Sequence, residues 1–348
     1  VLQKASGRDQ QVVSMSFMSM VNYIYSSVWF LPLRVLFSLL YSLVIFIRNK
    51  FYDLGIYNIH RLRTPVVSVG NLSVGGSGKT ILIQTLLDFF LLHNMKPAVL
   101  SRGYARKSKG PLLVSDGNSL LSTVADSGDE PFLIAKNFPG VPVFVSGDRV
   151  LGAKKLEAGF QPDVILLDDG FQHRRLHRDI DIVMVDKPEH QKTHMLPWGD
   201  QREPASSLIR ASIIIHSKAG LLNESDTNLE IEKPGIFYDH NFIHYPLSDL
   251  NGTYGLFAGL GNSRSFFDSI QSVLDSPVIT LSFTDHVEYG EKELELIEGS
   301  DCGFWITTQK DYVKLSEEFC QANKIYFVKA FASLPIALEG LLKQYFKL

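Results

Sequence analysis

Apolar residues change pattern twice along this chain. Between Met15 and Ile47 almost every position is apolar or small, broken by Asn22, Pro32 and Arg34. Beyond it, short apolar runs alternate with helical stretches: Val66–Val69, Ala98–Leu100, Val141–Val145, Val164–Leu167, Ile180–Val185 and Ile213–His216. Such runs, often β-branched, predict buried strands, and their alternation with helices predicts a parallel sheet with crossover helices. One helix is expected from Thr80 to about His93. From Leu221 to Asp249 polar residues cluster, followed by the aromatic-rich runs Gly235–Tyr238 and Phe242–Tyr245, which read as a connector with a small β pair. Tyr254–Phe257, Val278–Phe283, Phe304–Thr307 and Ile325–Val328 then predict a second, smaller α/β unit. The expected organisation is a polar extension and membrane-associated helix over 1–50, a P-loop domain over 51–225, a connector over 226–250 and the smaller unit over 251–348.

The uninterrupted run Val35–Ile47 would reach only about 20 Å as a helix, against a hydrocarbon core of about 30 Å. Adding Tyr23–Leu33 supplies the length but places Arg34 and a proline near the middle, where a buried arginine costs at least about 2.5 kcal/mol. A helix lying in the interface lets Arg34 snorkel, and Arg48, Lys50, Arg61 and Arg63 suit a flank facing anionic headgroups. The competing readings are a secretory signal, for which Arg48-Asn49-Lys50 is a poor cleavage site, and a buried soluble helix. Residues 1–14 are polar and read as an extension.

Composition adds limits. With 45% hydrophobic and 20% charged residues the 348-residue chain is that of a folded protein, and a net charge of -3 gives no global pull toward nucleic acid. Cys302 and Cys320 build no disulfide framework and no CxxC pair, which suits a reducing compartment.

The strongest chemical signal is VVSVGNLSVGGSGKT at 66–80. A strand runs through glycines into a helix, so backbone N–H groups and the helix N-terminus can cradle phosphates. Gly75, Gly76, Ser77, Gly78, Lys79 and Thr80 form the loop, with Lys79 reaching the β/γ-phosphates and Thr80 a ligand to Mg²⁺. Ser73 stands where the usual motif has its first glycine. In PDVILLDDGFQHRRLHRD at 162–179, apolar residues lead to Asp168 and Asp169 at a strand end, where a P-loop enzyme keeps its metal-binding acid. Gly170 offers a sharp exit.

Together with SRGYARK (101–107), SGDEP (127–131), SGDRVLGA (146–153), LPWGDQREP (196–204) and FTDHVEY (283–289), these strings resemble the tetraacyldisaccharide 4'-kinase family from the apolar N-terminus nearly to the chain's end. Besides Ser73, the departures are Ile81, where the family often has proline, and an altered Pro197–Gln201 segment. The resemblance implies a kinase that transfers the ATP γ-phosphate to the 4'-hydroxyl of a tetraacylated glucosamine disaccharide 1-phosphate, on the cytoplasmic face of the bacterial inner membrane. The partners it implies are that lipid and the membrane surface; no nucleic acid and no obligate protein partner is indicated.

A sugar hydroxyl needs a base. Asp129 and His286 are candidates by residue type, against a helix cap and a structural histidine; the resemblance implies a dyad with Asp129 taking the proton, which needs the second unit folded over the first. Arg202 is a candidate for stabilising the transferring phosphoryl and Glu203 for supporting the metal, against a surface ion pair. Arg102 or Arg149 could hold the 1-phosphate, and the resemblance adds Asn71, Tyr104 and His173 to the substrate site. Lys310-Asp311, after the strand in ITTQKDYVKL at 306–315, is read either as a contact to the adenine of the nucleotide or as a helix start. The rival from another class is a P-loop GTPase or regulatory ATPase at a membrane surface.

Overall fold

The structure is a computed structural model that describes residues 30–186, 194–217 and 225–348. The expected extension over 1–14, and the apolar residues before Phe30, lie outside the described residues. Helix α1 spans Leu31–Asp53 and opens with a proline in its first turn. Proline is tolerated there because the first N–H groups have no partner within the helix. Arg34 therefore sits near the start of α1. At 23 residues α1 is long and apolar enough to cross a membrane by length and composition. Its amphipathicity is inverted. Ser38 and Ile45 are buried against the protein, with Tyr41, Arg48 and Asn49 on the same face. Leu36, Phe37, Leu39, Leu43, Val44 and Phe46 point outward, each more than half exposed.

Seven strands form the first sheet: β1 (Val66–Asn71), β2 (Pro97–Ser101), β3 (Leu112–Asp116), β4 (Pro142–Val145), β5 (Val164–Asp168), β6 (Ile180–Val185) and β7 (Ile213–His216), in the order β3-β4-β2-β5-β1-β6-β7. All pairs are parallel except β3–β4. Alternate side chains feed two cores, Val67, Val69, Val99 and Leu166 on one face and Val66, Leu100, Ile165 and Leu167 on the other. Helix α2 (Lys79–Leu92) packs on the first face through Leu82, Ile83, Leu86 and Phe90. The edge strand β3 escapes the sequence reading because only three apolar residues mark it and two of them, Leu112 and Leu113, are half exposed.

The second sheet runs β10-β9-β14-β13-β11-β12, with β11 (Tyr254–Ala258), β12 (Ile279–Ser282), β13 (Phe304–Thr308) and β14 (Ile325–Val328) parallel. A hairpin of β9 (Ile236–Tyr238) and β10 (His244–Pro246) adds to its edge. The second arm of that hairpin starts two residues later than the aromatic run implies. Asp239 accepts the N–H groups of Asn241 and Ile243, and Phe242 turns at φ 61° to pack its ring on Phe327.

The C-terminal helix over Ile336–Phe346 does not stay with this sheet. Leu338 and Leu342 are wholly buried in the first sheet's core, and Phe346 meets Phe90 edge to face. Its surroundings are therefore those of the P-loop unit, although it follows the smaller unit in sequence.

Candidate active site

The phosphate loop leaves β1 and is flanked by the segment 195–203. Ser73 bridges to Gln201, the N–H of Val74 donates to the Asp200 carbonyl at 2.8 Å, and the N–H of Arg202 donates to that of Leu72 at 2.7 Å. Ser73 thus lies in extended, paired backbone and needs no glycine. The left-handed turns fall at Gly75 (φ 126°) and Gly78 (φ 82°). No side chain caps α2, which leaves its first N–H groups open to an anion, and the Ser77 hydroxyl is buried without a partner. Lys79 Nζ lies 3.1 Å from Asn71 Oδ1 and 3.5 Å from Asp169 Oδ1.

Asp168 ends β5 beside Val69 of β1, because these strands are neighbours. Its carboxylate accepts from the Ser101 hydroxyl at 2.9 Å. Burial, and then the adjacent Asp169, push its pKa up to about 6. Burial also opposes charge on Asp169, but Lys79 and Arg202 outweigh it and hold that carboxyl below the usual range. Arg202 Nη1 lies 2.8 Å from both Asp169 oxygens. The sharp turn falls on Asp169 itself (φ 52°), not on Gly170. Gly170 answers a packing demand, since a Cβ there would stand 2.5 Å from Leu167 and 2.6 Å from the Ser68 hydroxyl.

Asp129 opens the helix Asp129–Asn137 on the first unit, and His286 follows β12 on the second. His286 Nδ1 lies 3.0 Å from Asp129 Oδ2, and Lys314 Nζ lies 2.8 Å from the same oxygen. Lys310 pairs with Glu130 at 3.2 Å and Asp285 at 3.1 Å. Burial opposes charge on Asp129, yet His286 and Lys314 keep its carboxyl below the ordinary range. The bond to Asp129 raises His286, against burial and Lys310. Glu130, 3.8 Å from His286 Nε2, also adds to the forces that raise Asp168, though less than burial and Asp169 do.

Arg149 is 4% exposed, with Nη1 donating to the carbonyls of Ser146 and Gly147. Burial, and then Arg102, pull its pKa down to about 10. Burial, and then Arg149, pull His173 down to about 4, so its imidazole is neutral at pH 7. The ring of Tyr104 lies 5.3 Å from that of His286. Thr80 is the second residue of α2, beside Lys79.

Glu203 is placed elsewhere. It is fully buried, and both of its oxygens are occupied: Oε1 by Arg48 at 3.0 Å, Oε2 by Asn49 at 2.9 Å and Arg210 at 2.8 Å. Those partners make it an anchor for α1, in place of the metal support expected from its neighbour Arg202. Asp311 is also buried, accepting from the Gly259 N–H and the Thr308 hydroxyl while Lys310 is held by Glu130 and Asp285; this is the helix-start alternative. Sequence reasoning missed Ser101 and Lys314, which become site residues only through strand adjacency and inter-unit contact.

A model of the tetraacyldisaccharide-1-P 4'-kinase family matches residues 30–347. The chain is 38% identical over 285 residues to the tetraacyldisaccharide 4'-kinase of Aquifex aeolicus, covering 80% of this chain and 88% of that one. It is 34% identical over 347 residues to the enzyme of that name from Pelobacter propionicus, covering 90% and 93%. A 2.2 Å crystal structure of LpxK from Aquifex aeolicus, an "apo" form in complex with ATP, matches with a TM-score of 0.75 at 33% identity, over 89% of this chain and 97% of that one.

Proposed function

The chain belongs to the tetraacyldisaccharide 4'-kinase family, and from that premise we propose that it transfers the γ-phosphoryl group of ATP to the 4'-hydroxyl of a tetraacylated glucosamine disaccharide 1-phosphate. The observation that carries this assignment is the Asp129–His286 pair at 3.0 Å, brought together from the two units. A regulatory GTPase has no use for a carboxylate–imidazole pair brought together across 157 residues.

Asp129 stays ionised at neutral pH and takes the proton of the 4'-hydroxyl. The hydroxyl oxygen bonds to the γ-phosphorus as the bond to the β,γ-bridging oxygen breaks, and ADP leaves. His286 orients Asp129 and shares its charge. The open N–H groups of the loop and Lys79 bind the phosphates, while Arg202, fixed by Asp169, faces charge on the moving group.

The donor set fits Mg²⁺. Asp168 is buried, accepts from the Ser101 hydroxyl and has its carboxyl pushed up to about 6, so a divalent cation beside it would relieve the cost of its charge. The neighbouring Asp169 already faces Lys79 and Arg202. A phosphate-bound Mg²⁺ asks for about one or two carboxylates and keeps waters. Thr80, Asp168 and Asp169 would hold it, and when bound it supplies neutralisation of the phosphate oxygens. Asn71, Arg102, Tyr104, Arg149 and His173 form the acceptor side, with the two arginines matched to its 1-phosphate. The outward apolar face of α1 seats the chain on the cytoplasmic face of the inner membrane as a monotopic element, since its other face is committed to the protein.

Incubating the purified chain with ATP or GTP, with and without the detergent-dispersed disaccharide lipid, tests this reading by mass analysis of the product. One added phosphate on the lipid with ATP is expected. Nucleotide hydrolysis without a phosphorylated lipid would overturn it.

A further inference from the structure

The inward face of α1 touches one segment repeatedly, and that segment carries Arg202. The Ser38 hydroxyl donates to the Met195 carbonyl at 2.8 Å, and the Tyr41 hydroxyl donates to the Arg202 carbonyl at 3.0 Å. Two turns later Arg48 and Asn49 take the two oxygens of Glu203. Positions 38, 41, 45, 48 and 49 recur at helical spacing, so a single face of α1 makes all these contacts. From Arg202 the chain of contacts runs to Asp169 at 2.8 Å and on to Lys79 at 3.5 Å. A second tie comes from Arg174, just past the aspartates, which bonds the Asn49 carbonyl at 3.1 Å and Asp53 at 2.8 Å.

Membrane attachment alone asks only for the outward apolar face. It gives no reason for Arg48 and Asn49 on the inward one, closing with Arg210 on the buried Glu203, where removing charge from water is costly unless partners are supplied. Nor does it explain why two hydroxyls of this helix end on the Met195 and Arg202 carbonyls, both in the segment that carries Arg202. An arginine that meets a transferring phosphoryl must be held to within a fraction of an ångström, and a segment without regular secondary structure does not hold it there unaided.

We propose that Ser38, Tyr41, Arg48 and Asn49 on the inward face of α1 are positioning residues for phosphoryl transfer, fixing the 195–203 segment so that Arg202 meets the moving phosphoryl group. The membrane helix is then a wall of the catalytic site as well as an anchor, and its seating in the bilayer bears on the rate of transfer and not only on access to lipid. This inference rests on the kinase reading above.

The experiment compares Ser38→Ala/Tyr41→Phe, Arg48→Met and Arg48→Lys with the unmodified full chain, using ATP and detergent-dispersed disaccharide lipid. kcat, KM for ATP, melting temperature and cosedimentation with phosphatidylethanolamine/phosphatidylglycerol vesicles are measured. Ser38→Ala/Tyr41→Phe removes two hydroxyls and leaves the buried charges paired, so it remains informative if Arg48→Met does not fold. For the hydroxyl pair and for Arg48→Met, kcat is expected to fall about tenfold or more while KM for ATP stays within about twofold. Vesicle binding should be unchanged, because the outward face is intact. Arg48→Lys should restore most of the rate by keeping a cation on Glu203. The inference is overturned if both disruptive variants keep kcat within about twofold of the unmodified chain, or lose it only in step with vesicle binding or folded fraction. Absence of product from the unmodified chain would instead strike the kinase reading itself.

Discussion

Lys314 Nζ lies 2.8 Å from Asp129 Oδ2, the same oxygen that His286 Nδ1 approaches at 3.0 Å. The carboxylate thus faces two donors from the second unit, with Lys310, Glu130, Asp285, Asp311 and Tyr289 as the other charged or titratable neighbours. Lys314 is itself tied to the His286 loop through the Val287 carbonyl at 3.2 Å. Removing its charge by Lys314→Met lets the Asp129 pKa rise, since burial is then less opposed. The acid limb of the kcat/KM profile is expected to move to higher pH, with the rate at pH 6 falling more than the rate at pH 8. An unchanged profile would show that Lys314 does not act on the base.

Asp129→Asn keeps the shape of the site and removes the proton acceptor. Transfer is expected to fall by about 10²–10⁴-fold, with nucleotide affinity unchanged by fluorescent-ATP titration. Lys79→Ala should behave in the opposite sense and weaken nucleotide binding itself, because it removes the cation at the start of α2 that meets the phosphates in this reading. Equal effects of the two on binding would contradict the division of roles.

The dyad also carries a stability signature. Asp129 is lowered and His286 raised in the folded chain. Their mutual stabilisation is therefore fully present between the ordinary carboxylate and imidazole pKa values. It is lost at low pH as Asp129 protonates, and at higher pH as His286 deprotonates through its raised value. The difference in melting temperature between the parent and His286→Gln should be greatest near pH 5–6 and shrink on either side. A constant difference across pH would sink this account.

Asp168 has the reverse sign. With its pKa raised to about 6, the folded chain binds more protons than the unfolded one between about pH 4 and 6, so its ionisation costs stability as pH rises. In enzyme free of nucleotide and divalent cation, Asp168→Asn is expected to raise stability by about 1–3 kcal/mol at pH 7.5, and by much less at pH 4.5, while abolishing transfer. Urea titrations at the two pH values check this. A variant less stable than the parent at pH 7.5 would show that Asp168 is held by partners stronger than Ser101.

Glu203→Ala leaves Arg48 and Arg210 facing one another without their shared carboxylate. A loss of about 3 kcal/mol is expected, read as a lowered urea midpoint. If stability holds while the apparent affinity for Mg²⁺ falls, the carboxylate serves the metal and not the helix.

How legible the protein is from its residues depends on how far apart the interacting groups lie. The phosphate loop is legible because its chemistry is contiguous: a strand, glycines with positive φ at 75 and 78, and a helix N-terminus bind phosphate with backbone atoms from one stretch of chain. Asp168 and Asp169 are legible as a strand end. The central strands of both sheets are legible because their runs are buried on both faces and largely apolar. Where the pattern is short or half exposed, as in β3 and the second arm of the 236–246 hairpin, local turns decide the outcome and the apolar signal misplaces or misses the element.

The sequence by itself determined that this loop is built for a triphosphate, that two aspartates follow a later apolar strand, and that an apolar segment precedes them. Only the tertiary structure decided that β5 lies beside β1, that Asp129 meets His286 and Lys314, that Glu203 anchors a helix, and that α1 turns its polar face inward. The reason is physical. Backbone cradles and strand patterns are set by neighbours in the chain, whereas a buried carboxylate has no fixed role until folding supplies the cation that makes its charge tolerable. Asp129 faces His286 and Lys314, Asp169 faces Lys79 and Arg202, and Glu203 faces Arg48 and Arg210, although the three carboxylates are alike in sequence.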